Sequence, residues 1–206
     1  MFYRIADGHP LPHDPFKALV TPRPIGWISS RGSDGQVNLA PYSFFNGCGD
    51  HPPLVMFAQT GRKTRETQEK DSIANIRETG EFACNIVGRG LAEAMNLSSG
   101  QYDRGDDEFE IAGLTKADCV EIAVPRVAEA PAVLECRLVR IIDDLPTARD
   151  HARNIMVIGE VVGVHIDDGV LQDGIVDVLA FNPLARMGYM DYTAVTDKFA
   201  LRRPGQ

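Results

Sequence analysis

Residues 21–46, TPRPIGWISSRGSDGQVNLAPYSFFN, decide how this chain is read. Ile25-Gly26-Trp27-Ile28 is a short apolar run that ends in two hydroxyls, Ser29 and Ser30. Residues 31–35, RGSDG, form a turn, because glycine with Asp and Ser supplies the dihedral angles a hairpin needs. Residues 36–40 start the return strand, and Pro41, which has no N–H to donate, is expected to end its ladder. Tyr42-Ser43-Phe44-Phe45-Asn46 then sets aromatic rings among hydroxyl and amide groups. That mixture suits a flat aromatic ligand with polar edges. A hairpin capped by an aromatic core cluster is the simpler alternative.

Downstream, residues 54–58 (LVMFA) are continuously apolar and read as a buried strand. A polar stretch with Arg62, Lys63 and Arg65 follows, and then KDSIANIRETG at 70–80. The punctuation predicts a helix. Asp71 or Ser72 can cap its start, Ile73 and Ile76 share a face, and Gly80 supplies the left-handed stop. Residues 81–87 predict a strand, 90–97 a short helix, and 98–108 a surface loop. Residues 119–127, 132–142 and 154–166 predict three more strands, the last two rich in Val and Ile. Residues 181–192, FNPLARMGYMDY, read as a loop. Upstream, three prolines keep residues 1–19 an irregular arm, with Asp14-Pro15 able to start one helical turn. Residues 193–206 are a tail without periodicity, and the whole of 1–206 is expected to be one domain.

The hairpin motifs PRPIGWISS and NLAPYSFFN resemble the flavin reductase-like proteins. That resemblance implies a mainly β fold with peripheral helices, the FMN-binding split β-barrel. It extends over roughly residues 15–192. KDSIANI followed by GEF is similar to the family's KDT…NI…GEF, with the Ser72 hydroxyl in place of threonine's. In the family this region holds the FMN phosphate. A helix N-terminus with Lys70 and Ser72 beside it, and Arg62 near, has the chemistry to do so. A capped surface helix with solvated charges is the alternative. Near the C-terminus, Arg186, Gly188 and Tyr192 match the family's R-x-GG-x-Y, but Tyr189 replaces the second glycine. Glycine beside a flavin marks close backbone approach or a positive φ. Tyrosine there either covers part of the cofactor's face or packs away from it.

By position in these motifs, the flavin neighbours are expected to be Ser29, Ser30, Asn38, Ala40, Ser43, Phe44, Phe45 and Asn46, with Arg62, Lys70, Ser72, Arg186 and Tyr189. The implied activity is an NAD(P)H-dependent flavin or ferric reductase, with FMN as cofactor, FAD as its alternative and NAD(P)H as co-substrate. Hydride passes from nicotinamide to flavin, so no catalytic side chain is required. An FMN electron carrier or a non-catalytic flavin-binding sensor is the rival on the same fold. A monooxygenase component is an implied partner, and a homodimer the implied assembly.

Composition narrows the alternatives. With 44 % hydrophobic and 24 % charged residues the 206-residue chain is ordinary for a globular protein. A net charge of −8 argues against nucleic acid and anionic membranes as partners. No apolar run approaches the roughly 20 residues of a membrane span, and a cytoplasmic location is expected. Cys48, Cys84, Cys119 and Cys136 are scattered without a CxxC pair, so neither a zinc site nor a disulfide framework is expected. Cys84 and Cys136 lie within apolar strands and read as buried thiols. No GxGxxG, P-loop or HExxH is present, and His165 reads as a structural strand residue.

Overall fold

The structure is a computed structural model that describes residues 1–60, 69–147 and 153–205. Arg62, Lys63, Arg65 and His151 lie outside the described residues. The arm ends in helix α1 (Phe16–Leu19), followed by strands β1 (Arg23–Pro24), β2 (Gly26–Arg31), β3 (Val37–Tyr42), β4 (Phe45–Asp50) and β5 (Pro53–Thr60). Then come helix α2 (Asp71–Thr79), β6 (Glu81–Ile86), and helices α3 (Ala92–Leu97) and α4 (Glu108–Ile111). Two short strands, β7 (Lys116–Ala117) and β8 (Arg126–Val127), precede the long β9 (Ala132–Ile142) and β10 (Asn154–Ile166). The chain closes with β11 (Leu171–Gln172), β12 (Ile175–Val176), α5 (Val178–Phe181), β13 (Leu184–Arg186) and β14 (Tyr192–Ala194).

Seven strands form one antiparallel sheet in the order β3-β2-β6-β9-β10-β5-β4. The sheet curls until its two ends meet. The Tyr42 ring of β3 packs against the Phe57 ring of β5, centroids 4.6 Å apart, across the two ends. This is the expected mainly β half-barrel. Strand alternation sorts side chains onto two cores. Ile28, Phe57, Phe82, Cys136, Ile155 and Val157 point inside the curl, where α2 adds Ile73 and Ile76. Each fully buried isoleucine contributes about 1.5–3 kcal/mol, which fixes α2 against the sheet. Trp27, Leu39 and Val133 point outward and are covered by Met95 of α3, Phe109 of α4 and Leu184 of β13.

The long strands and α2 match their predicted bounds closely, and Cys84 and Cys136 are buried thiols as expected. Gly80 ends α2 at φ 74°, with its N–H on the Ile76 carbonyl. Other expectations are corrected. Lys70, not Asp71 or Ser72, is the N-cap of α2, and no side chain caps the helix there. Pro41 does not end its ladder, for it pairs with Trp27 inside β3; β3 is an edge strand, and an edge tolerates a missing donor. Of residues 119–127 only Arg126–Val127 are strand, the short β8, and 119–125 are not. Their N–H groups turn to carboxylates instead, Val120 and Glu121 to Glu135 and Ala123 to Glu81. Residues 98–108 are anchored at both ends by buried Ser98 and Glu108. Residues 181–192 hold strand β13, not loop alone, and Tyr192 begins β14.

Candidate functional site

Lys70 and the start of α2 sit at the open end of the curl because Gln59, fully buried on β5, accepts the Lys70 N–H at 2.9 Å. Opposite them, Asn38 of β3 donates from Nδ2 to the Ser72 Oγ at 2.8 Å. Between helix and strand lies a cavity of about 300 Å³, lined by Asn38, Ala40, Pro41, Tyr42, Lys70 and Ser72 and roofed by residues 98–102 and Glu108. The Lys70 ammonium lies 5.1 Å from the centre of the Tyr42 ring, and burial lowers its pKa. The Tyr42 hydroxyl is buried in the same lining beside Ser72. Ser72 is near enough to oppose the rise in pKa that burial imposes on it, though among the described residues the hydroxyl makes no hydrogen bond of good geometry.

Glu108 closes one side. Its carboxylate accepts the Leu39 N–H at 3.0 Å. Burial first, with Asp71 and Asp107 adding negative charge, pushes its pKa up to about 7.

A second cavity, about 260 Å³, adjoins the first across Pro41 and Ser99. It is lined by Lys17, Arg23, Ser43, Arg186, Tyr189 and Tyr192 among others. Arg23 is buried and ties three segments together. Its guanidinium donates to the Lys17 and Val20 carbonyls and, at 2.7 Å, to the Met187 carbonyl. Burial and the neighbouring Arg186 both lower its pKa. Arg186 stacks on Tyr192 at 4.3 Å and donates to the Tyr189 carbonyl at 2.6 Å. Gly188 is required here because a Cβ would lie 2.5 Å from the Ala18 Cβ of α1. Tyr189 adopts φ 55°, in the left-handed region that favours glycine. Its ring is 54 % exposed and meets His13 edge-on at 5.7 Å.

Of the residues expected beside a flavin, Asn38, Ala40, Lys70 and Ser72 line the first cavity, and Ser43, Arg186 and Tyr189 the second. Arg62 lies outside the described residues, and the remaining five stand elsewhere. Ser29 and Ser30 are fully buried, held by the Nδ2 groups of Asn85 and Asn75, because β2 is the second strand in and covered on both faces. Phe44 stacks on Phe16 of α1 at 6.5 Å, and the Phe45 ring lies over Gly26. Asn46 is exposed on edge strand β4, with its side chain on the Gly47 N–H. Sequence reading missed Tyr42, Glu108 and Arg23. A lone tyrosine, glutamate or arginine carries no motif; only the curl brings them to the cavities.

The profile of the flavin reductase-like domain matches residues 19–187. An uncharacterised protein of Deinococcus radiodurans is 40 % identical over 194 residues, spanning 90 % of this chain and 82 % of that one. Among solved structures, component B of nitrilotriacetate monooxygenase from Bacillus cereus superposes with a TM-score of 0.86 at 29 % identity, covering 98 % of each chain. The 2-nitrobenzoate 2-nitroreductase of Pseudomonas fluorescens does so at 0.79 and 33 % identity, over 92 % of this chain and 89 % of that one.

Proposed function

The chain belongs to the flavin reductase-like domain family, and from that premise we propose that residues 1–206 form one FMN-binding domain that moves electrons from NADH or NADPH to an acceptor. The observation that carries the proposal is the pair of adjoining cavities. The first holds a partly buried cation and a helix start; the second is cationic and aromatic. The residues of the first fit a phosphate. Burial already lowers the pKa of the Lys70 ammonium, the start of α2 carries the positive end of its dipole, and the Tyr42 and Ser72 hydroxyls stand beside them.

FMN, when bound, supplies the hydride-accepting ring. The chain's own residues do the rest. Asn38 and Ser72 fix the wall on which the ligand rests. Glu108, pushed up to about 7, holds a proton at its carboxyl and can release or take it near neutral pH. Arg23 and Arg186 make the second cavity attractive to an anionic group, such as the phosphates of a dinucleotide. The names of the Bacillus and Pseudomonas proteins, an oxygenase component and a nitroreductase, support electron transfer to a partner or a small acceptor. An electron carrier with little nicotinamide activity is favoured by one observation only, the Tyr189 ring in the second cavity.

The test is FMN and riboflavin binding to native protein and to Lys70→Ala. Loss of one charge-assisted hydrogen bond, about 1.5–3 kcal/mol, weakens FMN roughly 10- to 150-fold and leaves riboflavin nearly unchanged. A native protein that stays colourless at tens of micromolar FMN overturns the proposal; equal losses for both ligands put the phosphate elsewhere.

A further inference from the structure

Far from both cavities in its chemistry, a second group of side chains meets on the outer face of the sheet. Glu135 of β9 and His165 of β10 are diagonal neighbours, since His165 pairs with Val133 and Gly163 with Glu135. Gly163 leaves room for the glutamate: a Cβ there would lie 3.2 Å from the Glu135 carboxyl carbon. Cys119 arrives from the segment between β7 and β8. One ligand atom from each residue lies within 4.8 Å of the other two.

We propose that Cys119, Glu135 and His165 form a binding site for a zinc-type divalent cation, with water completing the coordination. The donor set mixes thiolate, carboxylate and imidazole, which zinc accepts, and three protein ligands with one open position is an established zinc arrangement. In a tetrahedral site ligand atoms lie about 3.3–3.7 Å apart, given the usual zinc–ligand bond lengths. To reach that spacing the Glu135–His165 pair opens from 2.5 Å, while Cys119, within 4.8 Å of both, closes on them. Glu135 is 1 % exposed, and its two oxygens are aimed by the Val120 and Glu121 N–H groups at 2.8 and 2.6 Å. Such support is what orients a carboxylate ligand.

Electrostatics point the same way. Glu135 is a buried acid whose side-chain partner is the His165 ring, at 2.5 Å through Nε2. The proton of that hydrogen bond sits between two groups that both have lone pairs to give. A divalent cation replaces this proton and the thiol proton, and its two charges cancel those of thiolate and carboxylate. Asp118 and Glu81 add negative charge around Cys119, with Arg126 opposing them. The consequence is mechanical: the segment 118–124 becomes cross-linked to β9 and β10.

The experiment titrates the purified protein with Co²⁺ and Zn²⁺. One equivalent of Co²⁺ should bind with a thiolate-to-metal charge-transfer band, and Zn²⁺ should displace it. Cys119→Ser should abolish the band, and His165→Gln should weaken Zn²⁺ by roughly 10-fold or more. No stoichiometric binding, or binding unchanged in both variants, overturns the proposal. Should the variants unfold, the native chain still decides it. Alkylation of Cys119, followed by peptide mass, should be blocked by one equivalent of Zn²⁺, while exposed Cys48 continues to react. Cys119 alkylated equally with and without Zn²⁺ also overturns it.

Discussion

At the scale of single residues, Glu108 and Tyr189 carry the clearest consequences. The Glu108 carboxyl is pushed up to about 7 in the folded chain, against about 4.3 in an unfolded one. A raised acid binds its proton more tightly when folded. Its contribution to stability is therefore full below about pH 4 and is lost as pH rises through 7. In Glu108→Gln that loss disappears, and the amide oxygen still accepts the Leu39 N–H. Urea midpoints of native and variant, compared from pH 5 to 8, should diverge by on the order of 2 kcal/mol, the native falling. Parallel curves would mean that the carboxyl titrates normally. Tyr189 holds a left-handed backbone that costs a non-glycine residue about 1 kcal/mol. Tyr189→Gly removes that strain together with the contact to His13, so stability should change by less than about 1 kcal/mol. It also widens the second cavity. Stopped-flow reduction of bound FMN by NADH or NADPH should then speed up by roughly fivefold, the rate equivalent of about 1 kcal/mol. An unchanged rate would make the ring packing alone.

At the scale of elements, α2 links the inner core to the first cavity. Its apolar face, Ile73 and Ile76, is buried in the curl, while its first turn presents Lys70 and Ser72 to the cavity. Anything that loosens the helix therefore reaches the site. Gly80 is the most direct handle. At φ 74° an added Cβ meets no atom within 4 Å, so its cost is conformational only. Gly80→Ala should destabilise the chain by about 1–2 kcal/mol, read as a lower urea midpoint at unchanged slope. A neutral substitution would show that the helix end frays without consequence. Gly188 is the opposite case, a steric requirement. Its backbone touches α1, so the arm and the C-terminal strands are built as one wall of the second cavity.

At the scale of the whole molecule, the sheet leaves β4 uncovered. Residues 46–50 are all exposed, and among the described residues no strand pairs with their outer edge. The arm adds exposed apolar side chains, Met1 at 93 %, Phe2 at 87 % and Ile5 at 83 %. Exposed edges and apolar patches of this kind call for cover, and a symmetric pair is the commonest soluble solution. Light scattering of the purified protein should give the mass of two 22.6 kDa chains. A monomer that binds FMN with full affinity would refute the pair.

The long β-strands, α2 with its glycine stop, and the Asn38, Lys70 and Ser72 wall were legible in the sequence, because local periodicity, capping chemistry and short motifs specify them within a few residues. The helical turn at Asp14-Pro15 was legible for the same reason, though Pro15 rather than Asp14 is its N-cap and the Asp14 carboxylate accepts the Phe16 N–H at 2.9 Å from one residue further out. What sequence could not decide was which side of a strand is covered twice. Ser29 and Ser30 sit in the same hairpin as Asn38, yet β2 lies inside the sheet and β3 at its edge, so the serines are sealed at 0 % exposure while the asparagine, also buried, lines the first cavity. Residues 119–127 have a strand's composition, but Glu135 and Glu81 take their N–H groups, a competition set by contacts distant in sequence. The curl decided the rest. It set Tyr42 and Glu108 around the Lys70 cavity, and β9 beside β10 set Glu135 against His165, because strand order and closure are properties of the folded sheet and of no single segment.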